Sequence, residues 1–535
     1  MESSSVPTPE PARQALYTRA SSGFVREIGM SSSIAANVML MSLALGVLAV
    51  TTVPFAFPGA SIVLTTVVAG AVIVFPILTY ALLAAVMPRS GGDYIFVSRT
   101  IHPWVGFFAS MNATLWYMIF LGDLAFLVPQ FGLTTAFGSL AVTTGNHTLS
   151  TWSLDVAHHG WTFGIGTVTL IVVTGIASLT VRHMLTAIKG LFIFSVVGVI
   201  VAIAILLFHS RADFASAVAA QGGSYAKIIA AAAAAGYHGG GFKLGNSLLA
   251  MPPLFLCFGY AIATAFVGGE VKSPVRDIRG KLYAYGVGVA LVLLTVILAS
   301  SRFGNDFLGS STFLSNSFAK TYPFAVPANY FFFVGLLTHS SVLVAIMVFS
   351  FTGAILALMI PTFWLATRPL FAWSFDRLIP EKVSEVNERT RSPLIANLIS
   401  FVIAETYLAL MVFGAQTFTT VTATVILGTL ITFILVALSA TLLPFLRKGL
   451  WQSSPVARMM RPGVFCLIGL ASLVVYVFLA ISLLTSDALG ANSSTGLTSL
   501  LVIALISVAA YPISYLVNRR RGVDLSLTMR ELPPE

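Results

Sequence analysis

The chain has 535 residues, 57% of them hydrophobic and only 9% charged, with a mean hydropathy of +0.93 and a formal net charge of +10. A soluble domain carries about 25% charged residues, so a soluble enzyme, a disordered chain and a disulfide-stapled secreted domain are excluded. At about 20 residues per crossing, the length suits roughly a dozen membrane helices.

In chain order, the polar stretch 1–33 lacks the apolar core of a signal peptide and is expected as a cytoplasmic tail. Apolar runs then predict twelve spans, at 38–56, 61–87, 104–132, 162–181, 186–208, 249–270, 281–301, 334–362, 394–413, 418–446, 463–485 and 497–518. Helices satisfy their own backbone in hydrocarbon, and no series of ten-residue alternating strands suggests a barrel. Both cysteines, Cys257 and Cys466, sit inside apolar runs, so no disulfide framework or zinc site is expected.

Charge fixes the expected orientation. With the N-terminus inside, 24 of the 29 Lys and Arg fall on inner segments, and only Arg211, Lys227, Lys243, Arg302 and Lys320 fall outside. Shifting the count by one span inverts this bias, so both termini are expected in the cytoplasm. The net charge then needs no nucleic-acid partner.

Two spans do not read as plain helices. The first carries Gly46, Thr51, Thr52, Pro54, Pro58 and Gly59; the sixth carries Pro252, Pro253, Gly259, Gly268 and Gly269. Interrupted helices at matching places in two halves point to a transporter built from inverted repeats, with the substrate at the interruptions.

Three stretches have a familiar form: PRSGGDYIFVSR at 88–99 followed by HPWVGF, GGEVKSPVRDI at 268–278, and RPLFAWSFDRLIPEKVSEVNERTRSPLIA at 368–396. They follow spans 2, 6 and 8 in that order. Together they resemble the amino acid/polyamine/organocation (APC) superfamily, near its amino acid permease branch, over roughly residues 30 to 520. The resemblance implies an all-α polytopic membrane protein of twelve transmembrane helices, a LeuT-type five-plus-five inverted repeat with two further helices. The expected division is a tail (1–33), a transporter core (34–446, with repeats at about 34–208 and 247–446), helices 11 and 12 (447–518) and a cytoplasmic C-terminal tail (519–535). It implies transport of amino acids or related amines across the bilayer, in the plasma membrane, coupled to protons rather than sodium or run as exchange. No catalytic residue, cofactor or metal is expected.

The resemblance also places the sixth-helix break at Cys257, Phe258, Gly259, Tyr260 and Ala261. Half-helix ends suit a zwitterion, with N–H groups for the carboxylate and carbonyls for the ammonium. The first helix lacks the family's glycine signature, so its break is expected at Gly46 or towards Thr51 and Thr52. Lys189 resembles a fifth-helix lysine that replaces a sodium ion between helices 1 and 8, with Ser350 and Thr352 as the matching oxygens.

Ionisable groups in hydrocarbon cost about 2.5–3.5 kcal/mol at mid-span, so each needs a reason. Asp123, mid-way along span 3, is a candidate for the coupling proton or for the amine of a cationic substrate. Glu405 in span 9 reads as a structural acid. The long outer segment 209–246 reads either as a partial lid or as a passive connector, and Trp364, Phe371 and Trp373 as an interfacial belt. No metalloprotease, nucleophile-elbow, selectivity-filter or phosphate-loop motif is present, which argues against an enzyme, a channel or an ATP-driven pump. A non-transporting receptor of the same fold stays open.

The topology makes a direct prediction. A single cysteine introduced within 363–393 is labelled by an impermeant maleimide only from the cytoplasmic side, and one within 209–246 only from outside; the reverse pattern overturns the orientation.

Overall fold

The computed structural model describes residues 26–317, 320–387, 389–390, 392–414, 418–521 and 525; most of both expected tails lies outside the described residues. The described residues form helices, with two isolated β-bridges between connecting segments. Eleven helices are long and apolar enough to cross a membrane: Met30–Ala56, Ile62–Val86, Pro103–Thr144, His159–Ala177, Val181–Phe208, Pro274–Phe303, Ser341–Phe375, Leu394–Phe413, Thr419–Leu446, Pro462–Thr485 and Ser494–Arg520. They correspond to expected spans 1–5 and 7–12. The sixth expected span is not among them, because it is cut into short helices.

That cut is local chemistry. Helix Met251–Phe258 starts with Pro252 and Pro253, whose missing N–H groups are harmless in a first turn. It ends at Phe258, four turn residues beginning with Gly259 follow, and helix resumes only over Ala263–Phe266. Span 1 is broken as well, but at Ser42. Its two halves, Met30–Met41 (inner in the expected topology) and Leu43–Ala56 (outer), meet at this residue, which has φ 52° and ψ 97°. Left-handed backbone is costly for a residue with a Cβ. Ser42 holds it by accepting Leu45 N–H on its own hydroxyl at 3.2 Å, as an N-cap does. The break therefore lies four residues before Gly46. Gly46 itself is a packing position, where a Cβ would stand 2.8 Å from Val292 and 3.0 Å from Cys257 Sγ.

Several helices overrun the expected spans. The helix of span 3 continues to Thr144, roughly 63 Å at 1.5 Å per residue, and widens into a π turn over Val128–Leu133, where Pro129 supplies no N–H. Span 8 runs to Phe375, so the expected connector 363–393 begins as helix. The aromatics placed there in an interfacial belt are instead buried: Trp364, Phe371 and Trp373 are each at most 3% exposed. Trp373 packs edge-on against Phe107 and donates to Ser110 at 3.0 Å, so this ring fills space between spans 3 and 8, while Phe371 stacks on Phe375.

Spans 1, 3, 8 and 10 form the centre and span 12 the rim, its apolar window 11% buried against 83% for span 1. Outer segment 209–246 holds helices Arg211–Ala220 and Tyr225–Ala234 and ties down the outer half of span 1. Tyr237 donates to Pro54 carbonyl at 2.7 Å, Lys243 N–H to Gly59 carbonyl at 2.8 Å, and Asn246 to Pro58 carbonyl at 2.7 Å. Phe214 anchors it among Phe303, Phe307 and Phe333.

The Ser42 geometry predicts that Ser42→Val lowers stability by about 1–3 kcal/mol, because a β-branched residue holds this backbone badly and offers no cap. Thermal unfolding of the purified chain checks this; Ser42→Gly, which suits positive φ, is expected to lose less.

Candidate functional site

A cavity of about 550 Å³ enters the bundle from the end that carries 209–246 and Asn305–Ser317, the outer end in the expected topology. Its mouth lies at exposed Asn316, Asp487 and Ala488, and its walls come from span 1, span 3, the sixth segment and span 10. The wall is apolar at Leu48, Phe55, Phe126, Phe131 and Ile426, with polar groups at Thr51, Thr52, Gln130, Thr312, Thr420 and Thr422. It reaches Leu45 and Leu256, three residues after Ser42 and three before Gly259. The cavity thus comes within about one helical turn of both breaks. No Lys, Arg or His lines it.

The breaks present opposite helix ends. The outer half of span 1 starts at Leu43, and its first N–H groups have no intrahelical partner; Met251–Phe258 ends there with its last carbonyls in the same condition. A positive and a negative dipole end side by side match a carboxylate and an ammonium.

The expected residues divide between several places. Thr51 and Thr52 line the cavity, and both hydroxyls donate to Leu48 carbonyl, at 3.1 and 3.0 Å. Tyr260, at the sixth-segment break, shares a hydrogen bond with Thr429 at 3.1 Å and packs against Phe255 and Phe433. Phe258 lies edge-on to Tyr285, Ala261 is fully buried, and a Cβ on Gly259 would stand 2.3 Å from the Phe255 ring. Asp123 is fully buried behind the wall. Thr422, which lines the cavity, donates to its Oδ2 at 2.9 Å, and its Oδ1 has no partner.

Lys189, Ser350 and Thr352 do not come together. A Cβ on Gly198 would lie 2.2 Å from Ser350 Cβ, so Ser350 sits opposite Gly198, whereas Lys189 is nine residues earlier on the same helix. That is roughly 13 Å along the axis. Lys189 is only half-buried. Thr352 lies against Gly132 of span 3 and donates to Val348 carbonyl. Glu405 accepts from Thr167 at 2.5 Å and so joins spans 4 and 9, away from the cavity. Segment 209–246 contributes nothing to the cavity wall. Among the described residues no three His, Cys, Asp or Glu converge as a metal site would require.

The opposite end of the bundle is shut by the three quoted motifs. Arg99 donates to Asp376 Oδ2 at 2.6 Å and Tyr94 donates to the same atom at 2.6 Å. Arg368 meets Glu270 at 2.9 Å. Asp277 accepts from Ser33, from Lys281 and from Thr264, the last at 2.9 Å, and Asn37 donates to Thr264 at 3.1 Å. Backbone bonds bind the same layer: Ile28 N–H to Glu270 carbonyl, Lys272 N–H to Ile28 carbonyl, and Gly91 N–H to Phe266 carbonyl, each at 3.0 Å. These charged side chains are all at most 6% exposed. The sequence showed the motifs but not their pairings, since partners such as Arg99 and Asp376 lie 277 positions apart. Thr422 and Ser42 were also missed; the threonine-rich run at 417–424 and a lone serine in MLMSLAL were the available signals.

Removing one partner strands a buried charge, at a cost of about 3–5 kcal/mol. Glu270→Ala is therefore expected to lower the thermal midpoint and expose the inner end to impermeant thiol reagents at a cysteine placed at Ala372; unchanged labelling would show that the pair does not hold this end shut.

A family model described as "Amino acid permease" matches residues 37–526. No curated protein matches the chain in a sequence search. The match takes in both helix breaks, every cavity wall and all three motifs of the closed end. The chain is an integral membrane protein and belongs to the amino acid permease family of the APC superfamily.

Proposed function

We propose that this chain is a secondary active transporter that moves amino acids by alternating access, driven by protons or run as an exchanger, with both termini in the cytoplasm of a plasma-membrane host. The observation that carries the reading is the pairing of two interrupted helices at the foot of one cavity with a charge-locked opposite end. In this conformation a solute has a path to the breaks from one side only, which is one half of an alternating-access cycle. The two interruptions support the division of the core into repeats at about 34–208 and 247–446, with 447–518 appended.

In this reading the substrate descends past Thr51, Thr52 and Thr422, and its carboxylate and ammonium exchange water for the half-helix ends at Ser42–Leu43 and Phe258–Gly259. Binding energy that favours drawing the two breaks together closes the outer mouth, and the inner locks then open. A ligand shifts such an equilibrium only by its difference in affinity for the two states. Asp123 is the coupling group of the outer half, a buried carboxyl one hydroxyl away from cavity water. Lys189 has no place in this scheme, and the coupling proton is assigned to the buried carboxyl.

A second reading, an organic-cation or polyamine carrier, is favoured by one observation: the acids Asp487 and Asp123 lie at and behind a wall that carries no basic residue.

Reconstituted vesicles test both. Gly259→Leu must push the Phe255 ring out of place and is expected to lower uptake about 10²-fold while the chain still inserts. Full uptake by that variant would place the site elsewhere. Asp123→Asn is expected to retain exchange of labelled for unlabelled amino acid but to lose accumulation against a gradient. Saturable uptake of spermidine, with none of any amino acid, decides for the second reading.

A further inference from the structure

Asp93 opens the helix Asp93–Thr100 at the closed inner end and is 1% exposed. Unlike the other acids of that end it has no basic partner. Tyr80 donates to its Oδ1 at 2.6 Å, and Oδ2 has no hydrogen-bond partner. The groups facing it are phenols. Tyr80 comes from span 2, and within electrostatic range lie Tyr117 from span 3, Tyr260 from the sixth-segment break and Tyr476 from span 11. Phe433 of span 10 fills the centre, with the rings of Tyr80, Tyr260 and Tyr476 at 5.5–5.9 Å. From span 8 the charged groups beside this helix are Asp376, tied to Arg99, and Arg368, tied to Glu270, both compensated pairs.

The phenols also lead towards the cavity. Tyr117, whose hydroxyl has no partner, is in electrostatic range of both Asp93 and Tyr260. Tyr260 bonds Thr429, and Thr429 is three residues along span 10 from Ile426 in the cavity wall. A buried carboxyl therefore sits between the inner locks and a group of phenols, of which Tyr260 bonds Thr429 about one turn below the cavity wall.

We propose that Asp93 carries a proton of the transport cycle, held as a neutral carboxyl while the inner end is shut and given up to cytoplasmic water when it opens. On opening, water reaches Asp93, its O–H bond breaks, the proton leaves on water, and the carboxylate keeps the electron pair with Tyr80 donating to it. On closing, a proton taken up from the cavity side restores the O–H bond. The role rests on the transport reading above.

Burial supports the neutral form, pushing the Asp93 carboxyl up to about 7 against the smaller lowering by the Tyr80 hydrogen bond. The sign follows. A carboxyl raised in the closed state favours closure at low pH, and that contribution is lost as pH rises through about 7.

The test uses the full chain in nanodiscs and needs no substrate. Amide hydrogen exchange of 88–100, corrected for intrinsic rates, is followed from about pH 5.5 to about pH 8.5. Wild type is expected to lose protection with a midpoint near 7. Asp93→Asn, which mimics the protonated form, is expected to show no midpoint, Asp123→Asn to keep it, and Tyr80→Phe to move it upward because the charged form loses its donor. The same proteins in vesicles are given an equimolar mixture of the common amino acids, with a trapped pH dye. Asp93→Asn should retain exchange and lose substrate-driven proton entry. A wild type that takes up none of the mixture overturns the transport reading and the role with it. A wild type that transports, beside an Asp93→Asn with an unchanged midpoint or proton entry, overturns Asp93 alone.

Discussion

Backbone N–H and C=O groups cannot be left bare in hydrocarbon, and the architecture turns on how two helix interruptions meet that constraint. Ser42 covers one N–H with its own hydroxyl. The sixth-segment break is enclosed by buried protein, with Phe255, Tyr260 and Phe433 packed about it. What these two groups of residues leave uncovered is polar surface that belongs to the main chain. A binding surface made this way costs no buried side-chain charge, which agrees with a cavity wall that carries no Lys, Arg or His.

The two ends of the molecule use different physics. The end that carries the cavity is lined with hydroxyls and apolar rings; the opposite end is buried and held by ion pairs and main-chain bonds. Buried ion pairs are poor sources of net stability, since desolvation offsets most of their attraction. That makes them suitable as a lock, because on opening the charges regain water and the two states stay close in free energy. An apolar seal of the same size would be harder to open.

The sequence resolved what depends on periodicity and composition. Spans and the three motifs can be read from local runs, and the sixth break announces itself through Pro252, Pro253 and Gly259. The first break does not. Gly46 and the prolines draw attention downstream, whereas the break depends on one serine whose left-handed backbone leaves no trace in composition. Trp364 and Trp373 mislead in the same way, since an aromatic at a helix end looks alike whether it meets lipid headgroups or, as here, a neighbouring helix. Lys189 fails for another reason: matching it to Ser350 and Thr352 assumes a register between spans 5 and 8, and Gly198 sets a different one. Pairings such as Arg99 with Asp376 are beyond one sequence, because nothing along the chain says which distant acid a base will meet.

The ties on the outer half of span 1 have a mechanical consequence. Pro54, Pro58 and Gly59 are stitched to the 209–246 segment, and that segment is anchored by Phe214 among three further rings. The inner half, Met30–Met41, is buried along most of its length among apolar neighbours and carries in addition the polar bonds of Ser33 and Asn37. In the proposed cycle Ser42 is the joint between a limb stitched to the 209–246 segment and a limb without such ties, so a swing about it moves the inner limb while the N–H groups at Leu43 keep their position.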